Sequence, residues 1–364
     1  MGSRRARRLR RARRRSVPPR TGSEAGSRRE HYPGPNYSCP SVAHEATLGN
    51  RTADAQAGLC CLWFPGNIRG EGQEMAVVGV VGLGNMGRGM AISLTRAGHD
   101  VLGTDTSDAA RAALAAAGVA VFDGLAPLCT RADLLILSLP TAEIVEAVVT
   151  GKDGIIAHAR PGLRVVDTST SNPETTRRLA AALAAQGMAM IDAPVSGGPK
   201  GAITATMTMV IGGADDDVAA VEPVLSDMSA KRVHVGSVGA GHVCKIINNL
   251  LCAAHLLTAA EAMRIARDAD VDPARLLEGL NAGSGRSGVT QVNLPTWVLN
   301  GAFDSGFTMA LMRKDVRLAA QLIAKLALDL PIARETARVW SDSAASIGDG
   351  EDFNRIVELQ LGRM

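Results

Sequence analysis

The stretch MAVVGVVGLGNMGRGMAISLTRAGHDVLGTD, residues 75–105, decides how the rest of the chain is read. Residues 76–81 form a short Val-rich apolar run, as a strand buried on both faces requires. Gly82, Leu83, Gly84, Asn85, Met86 and Gly87 then spell G-x-G-x-x-G, and an Ala-rich helical pattern runs from 85 to about 97. A second apolar run at 101–104 ends at Asp105, 18 residues beyond Gly87. Gly82 permits a tight turn, Gly84 lets the backbone approach a pyrophosphate, and Gly87 lets the helix pack close to the strand. The helix N-terminus offers free N–H groups and a positive dipole end to phosphate. A structural Gly turn is the bland reading. Strand, turn, helix and acid in this order favour a dinucleotide site instead.

Asp105 would accept hydrogen bonds from the ribose hydroxyls of NAD and repel the extra phosphate of NADP. The next residue is Thr106, not Arg, so NAD is expected over NADP.

Outward from this stretch, 134–139, 165–167, 189–191 and 206–212 read as further strands and alternate with helical patterns such as 109–117 and 173–186. This alternation predicts a mostly parallel sheet covered by helices on both faces. Strands stop near Gly236. Helical patterns follow at 241–269, 273–280, 307–326 and 332–346. The expected fold class is an α/β Rossmann domain, 75–237, followed by an all-α C-terminal domain, 238–364.

Residues 1–74 read differently. Ten of the first 20 residues are Arg, and Pro, Gly, Ser and Asn follow without periodicity. Such a segment buries too little apolar surface to offset its ordering entropy, so it is expected to be disordered. It is an upstream extension with Met75 the true start, an organellar presequence, or a basic arm. The chain's net charge of +3 splits into +8 here and −5 in the remainder. A mildly acidic body argues against nucleic-acid binding. No uninterrupted apolar run of about 18 residues occurs, so no membrane span is expected. The six cysteines include no C-x-x-C and no zinc spacing, so free thiols and no metal are expected. Both tyrosines, Tyr32 and Tyr37, precede residue 75.

Three further motifs carry candidate chemistry. Asp167-Thr168-Ser169-Thr170-Ser171-Asn172-Pro173 lies at a strand end. In Asp192-Ala193-Pro194-Val195-Ser196-Gly197-Gly198, the last three residues offer a hydroxyl and unhindered N–H groups for a small anion. Gly239-Ala240-Gly241-His242-Val243-Cys244-Lys245 continues to Asn248 and Asn249. Lys245 and Asn249, at i and i+4, share a helix face among apolar neighbours. A Lys held partly dry exchanges a proton nearer neutral pH. A solvated Lys on an exposed face is the plainer reading of this spacing.

Together these motifs resemble the β-hydroxyacid dehydrogenase family, which includes 3-hydroxyisobutyrate dehydrogenase and tartronate semialdehyde reductase and is related to 6-phosphogluconate dehydrogenase. The likeness runs from about Val78 to Val357 and includes a late pair, Lys314-Asp315. The resemblance implies an NAD-dependent oxidoreductase acting on a small 3-hydroxy acid. It implies Lys245 as general acid/base, Asn249 as its substrate-binding partner, and Ser196, Gly197 and Gly198 as the carboxylate-holding segment. It implies Thr170 beside the nicotinamide, Leu139 and Pro140 beside the adenosine ribose, and Lys314 reaching in from the helical domain. A cytoplasmic homodimer or homotetramer follows by the same resemblance, or a mitochondrial protein if residues 1–74 are a presequence.

The chain departs from the family pattern at Thr106, where Arg is frequent, and at Gly288, where a bulky aromatic is common. Gly288 would leave a roomier pocket. Tartronate semialdehyde (2-hydroxy-3-oxopropionate) reduction is the alternative. A non-catalytic dehydrogenase-like binding protein with a basic extension is a distant one, opposed by the presence of Lys245. A short-chain dehydrogenase needs a Tyr that the body lacks. A 6-phosphogluconate dehydrogenase has His at Asn248, and imine reductases lack the Lys.

Overall fold

The computed structural model describes residues 75–362, so the expectations made for 1–74 lie outside the described residues. The first part alternates strand and helix. It runs β1 (Val77–Val81), α1 (Asn85–Arg96), β2 (Asp100–Thr104), α2 (Asp108–Ala115), β3 (Ala120–Phe122), α3 (Ala126–Arg131), β4 (Leu134–Leu137), α4 (Ala142–Thr150), α5 (Ile155–His158), β5 (Arg164–Asp167), α6 (Pro173–Ala184) and β6 (Ala189–Asp192). It continues through β7 (Val195–Ser196), α7 (Gly198–Thr204), β8 (Met207–Gly212), α8 (Asp215–Ser226) and β9 (Ser229–Gly236).

The sheet order is β3-β2-β1-β4-β5-β6-β8-β7, with β9 paired to β8. Strands from β3 to β6 are parallel, while β8 runs antiparallel to β6 and β7. Chain order reverses between β1 and β4, which opens a crevice at the carboxyl ends of the strands, where doubly wound sheets bind ligands. β4, read LLIL, is wholly buried because helices cover both faces. Two apolar clusters lie on its two sides, one around Val80, Met90 and Ile136, the other around Leu128, Leu135 and Val165.

The second part is helical: α9 (Ala240–Asp268), α10 (Pro273–Ala282), a π-helical segment Val289–Val298, α11 (Met309–Lys325), α12 (Pro331–Asp342) and α13 (Glu358–Leu361). Its core gathers Leu256, Met263, Leu294, Met312, Trp340 and Ile356. The Trp340 indole N–H donates to the Ala253 carbonyl at 3.2 Å, pinning α12 to α9.

The sequence reading missed several elements. β9 is mostly exposed and carries Lys231, Arg232 and His234, so no apolar run marks it. β3 and β7 are only 3 and 2 residues long. The π-helix contains Pro295, a residue that argues against a helix interior. Finally, α9 is long and apolar enough, by length and composition, to cross a bilayer, which a search for uninterrupted runs did not register. In the fold, its buried face forms the spine of the helical core. Cys129, Cys244 and Cys252 are free thiols, and among the described residues no cluster of His, Cys, Asp or Glu is placed to hold a metal.

Candidate active site

The cofactor half is built from the β1–α1 turn. Gly82 adopts φ +90°, which a side-chain-bearing residue resists. A Cβ on Gly87 would strike the Gly82 carbonyl oxygen, so strand and helix meet here only through glycine. A Cβ on Gly84 would meet no atom within 4 Å, and α1 has no side-chain cap of its own. An open cradle over uncapped helix N–H groups fits a pyrophosphate. Asn85 is exposed at the start of α1, whereas Leu83 and Met86 pack their side chains into the core beneath.

Asp105 stands at the end of β2 beside this cradle. Its Oδ2 accepts from Leu83 N at 2.6 Å and its Oδ1 from Ser107 N at 2.8 Å. Thr106 is exposed. The sequence reading did not weigh Arg111. One turn into α2, it folds back onto the Asp105 carbonyl oxygen and pairs with Asp108, with Asp123 Oδ1 at 3.7 Å. Thr106 brings no charge here, but Arg111 sets a guanidinium against the Asp105 carbonyl.

The other half comes from α9 and α11. Lys245 is 9% exposed, and its Nζ donates to Ser196 Oγ at 3.0 Å. Burial pulls the Lys245 ammonium below the ordinary lysine range, and the Asp315 carboxylate partly opposes this. Asn249, one turn on, donates from Nδ2 to Asp315 Oδ2 at 2.5 Å and accepts from Asn248 Nδ2 at 3.1 Å. Asp315 is 1% exposed. Lys314 Nζ lies 3.1 Å from its Oδ1, but that oxygen has no aligned hydrogen-bond donor.

Lys314 also spans the two parts of the fold. It donates to the Thr170 carbonyl at 2.8 Å and to the Pro140 carbonyl at 3.4 Å. Ser169 Oγ accepts from Leu139 N at 3.0 Å, so the Leu139–Pro140 and Ser169–Thr170 segments are tied together. Gly197 and Gly198 have φ of +126° and +64°, and the Ser305 carbonyl from the helical part approaches Gly198. The structure thus groups Lys245 with Ser196, and Asn249 with Asp315 and Lys314. It links Lys314 to Thr170 and Pro140, and Asp105 to the glycine turn.

Two family models cover nearly all of the described chain. Residues 77–236 match the NAD binding domain of 6-phosphogluconate dehydrogenase. Residues 239–360 match the NAD-binding domain of NADP-dependent 3-hydroxyisobutyrate dehydrogenase. The chain belongs to the β-hydroxyacid dehydrogenase family. Within that family, it is 34% identical over 295 residues to a probable 3-hydroxyisobutyrate dehydrogenase of Mycobacterium tuberculosis, covering 79% of this chain and 99% of the other. It is 31% identical to the 2-hydroxy-3-oxopropionate reductase of Escherichia coli, covering 77% of this chain and 96% of the other. The solved structure of the Mycobacterium tuberculosis 3-hydroxyisobutyrate dehydrogenase with L-serine superposes with a TM-score of 0.74, at 34% identity over 79% of this chain and 99% of that one. The protein is an oxidoreductase with NAD(P)-binding domains.

Three contributors to this site escaped sequence reasoning. Asp315 was noted only as half of a Lys-Asp pair, yet it anchors Asn249. Asp192 and His242 lie inside quoted motifs without a role, and both are fully buried. The available signal was their type: Asp192 is a carboxylate closing an apolar strand, and His242 is a titratable group in the first turn of the helix that carries Lys245.

Proposed function

We propose that this protein catalyses reversible, NAD-linked oxidation of a small, 3-hydroxyisobutyrate-like 3-hydroxy acid to its semialdehyde. The observation that carries this reading is the buried Lys245 ammonium, held at Ser196 beside the Asn249–Asp315 pair. NAD, when bound, supplies the nicotinamide carbon that accepts the hydride in oxidation and, reduced, returns it. Lys245 takes the hydroxyl proton as the carbinol C–H bond breaks and the carbonyl forms; in reduction it gives the proton back. Its lowered affinity for protons suits both directions. Ser196 and the Gly197 and Gly198 N–H groups hold the substrate carboxylate, and Asn249 orients the reacting oxygen. Thr170, Leu139, Pro140 and Lys314 line the cofactor side.

NAD is preferred over NADP in this reading, because the Asp105 carboxylate beside the glycine turn would repel an extra phosphate. Arg111 is already engaged by Asp108 and by the Asp105 carbonyl. We divide the chain into an NAD-binding domain, 75–237, and a helical substrate and oligomerisation domain, 238–364; β9 ends at Gly236 and α9 begins at Ala240. A homodimer or homotetramer is supported by exposed apolar residues on the helical part, Ile247, Leu251 and Ile265 on α9 and Leu328 and Ile332 after α11. The protein is placed in the cytoplasm, or in mitochondria if residues 1–74 act as a presequence.

The second reading, 2-hydroxy-3-oxopropionate reduction, is favoured by Gly288. That residue is exposed, and a Cβ there would meet nothing within 4 Å, so the position bears no side chain that would narrow the space around it. The test is turnover of NAD and NADP with a panel of 3-hydroxy acids and semialdehydes. NAD-linked turnover of a 3-hydroxyisobutyrate-like acid supports the first reading. Preference for 2-hydroxy-3-oxopropionate supports the second, and silence across the panel with NAD still bound would refute both.

A further inference from the structure

Beneath the helix that carries Lys245 lies a charged cluster that the proton transfer does not use. His242 sits one turn before Lys245 on α9 and is fully buried, as are Asp167 at the end of β5 and Asp192 at the end of β6. The His242 Nε2 is 2.9 Å from the Ser169 carbonyl oxygen, and Nδ1 is 2.8 Å from Thr176 Oγ1. Asp167 Oδ2 lies 3.8 Å from Nε2 and Asp192 Oδ2 3.9 Å from Nδ1. The first turn of α9 has no side-chain cap from its own N-cap residue. Asp192 supplies one from across the fold, accepting from Gly239 N at 2.6 Å and from His242 N at 2.7 Å.

Both ring nitrogens are therefore hydrogen-bonded, one to the Ser169 carbonyl and one to the Thr176 hydroxyl. Each Asp192 oxygen accepts a backbone N–H of the first turn of α9, and Asp167 Oδ1 accepts from Ser169 N at 2.9 Å.

We propose that His242 is a positioning residue for Lys245: its buried ring, hydrogen-bonded to the Ser169 carbonyl and to Thr176, locks the first turn of the lysine's helix to α6 and to the Thr170 loop. The inference rests on Lys245 being the acid–base group. The lock reaches both halves of the site. Its Ser169 carbonyl immediately precedes Thr170, whose own carbonyl receives Lys314. Loss of the ring loosens the first turn of the lysine's helix from that loop without touching the glycine cradle.

Kinetics of full-length His242→Leu test positioning, because Leu fills the space but makes neither ring hydrogen bond. The expected result is a drop in kcat on the order of 10–100-fold, as for a misplacement of about 1 Å, with NAD affinity and substrate KM nearly unchanged. His242→Gln, which keeps a donor and an acceptor, should recover most of that loss. Parent-like kcat in His242→Leu, a loss confined to KM, or no recovery in His242→Gln would overturn the positioning role. Should His242→Leu fail to fold, Thr176→Val removes one of the two bonds and is expected to lower kcat in the same way, and parent-like kcat there overturns the lock. Lys245→Ala in the same assay separates the two claims: parent-like turnover would sink the acid–base reading, whereas a loss there with parent-like His242→Leu sinks only the positioning role.

Discussion

Replacing Asn249 with Ala removes the hydrogen bond between two buried side chains, Asn249 at 5% and Asp315 at 1% exposure, joined at 2.5 Å. A hydrogen bond to a charged group is worth about 1.5–3 kcal/mol. The upper part of that range applies here, because the variant strands a carboxylate that water does not reach and whose other oxygen has only the misaligned Lys314 nearby. At about 2–3 kcal/mol, thermal melting should fall by roughly 4–12 °C for a domain of this size. If the same contact orients Asn249 in the transition state, kcat/KM for the hydroxy acid should fall by about 10- to 100-fold. NAD affinity should be unaffected, since the glycine cradle is untouched. The discriminating assay is a double-mutant cycle with Asp315→Ala, read by NADH absorbance and by melting. Once Asp315 is gone, Asn249→Ala should cost less, leaving a coupling of about 1–2 kcal/mol. Additivity within about 0.3 kcal/mol would refute the claim that Asp315 acts by holding Asn249.

Lys245→Ala should lower turnover by about 10²–10⁴-fold while NAD binding persists, and wild-type turnover would remove Lys245 from the mechanism. Because burial depresses the Lys245 ammonium, its neutral form gains as pH rises through that depressed range, so oxidation should speed up and reduction slow down. Asp315→Asn removes the charge that opposes the depression, so both limbs should move to lower pH, and unmoved limbs would contradict the assignment. Asp105→Asn combined with Thr106→Arg should shift preference toward NADP; an unchanged ratio of the two kcat/KM values counts against Asp105 as the discriminator. Gly87→Ala should abolish NAD binding, because its Cβ enters the Gly82 carbonyl, and calorimetry showing parent affinity would argue against the cradle.

The legible parts of this protein are those whose causes are local. G-x-G-x-x-G is readable because Gly82 must adopt positive φ and Gly87 must lack a Cβ, constraints that act within one strand and one helix. Buried strands such as β4 are readable because cover on both faces makes them continuously apolar. β9 was not, because an edge strand that shows Lys231 and His234 to solvent carries no such pattern. The π-helix at Val289–Val298 was not, because Pro295 signals a break and only packing against the helical core holds the segment wound.

By itself, the sequence determined the fold class, the order of the two parts, the dinucleotide cradle and the pairing of Lys245 with Asn249 on one helix face, since periodicity and glycine geometry act over a few residues. Only the tertiary structure decided which groups surround that pair. Asp315 lies 66 residues from Asn249, and Ser196 lies 49 from Lys245. Ser169 lies 73 from the His242 ring that holds it. Such partners are chosen by how α9 and α11 pack over the strand ends. In that dry space each polar group must find a partner, and sequence spacing carries no record of which one it finds.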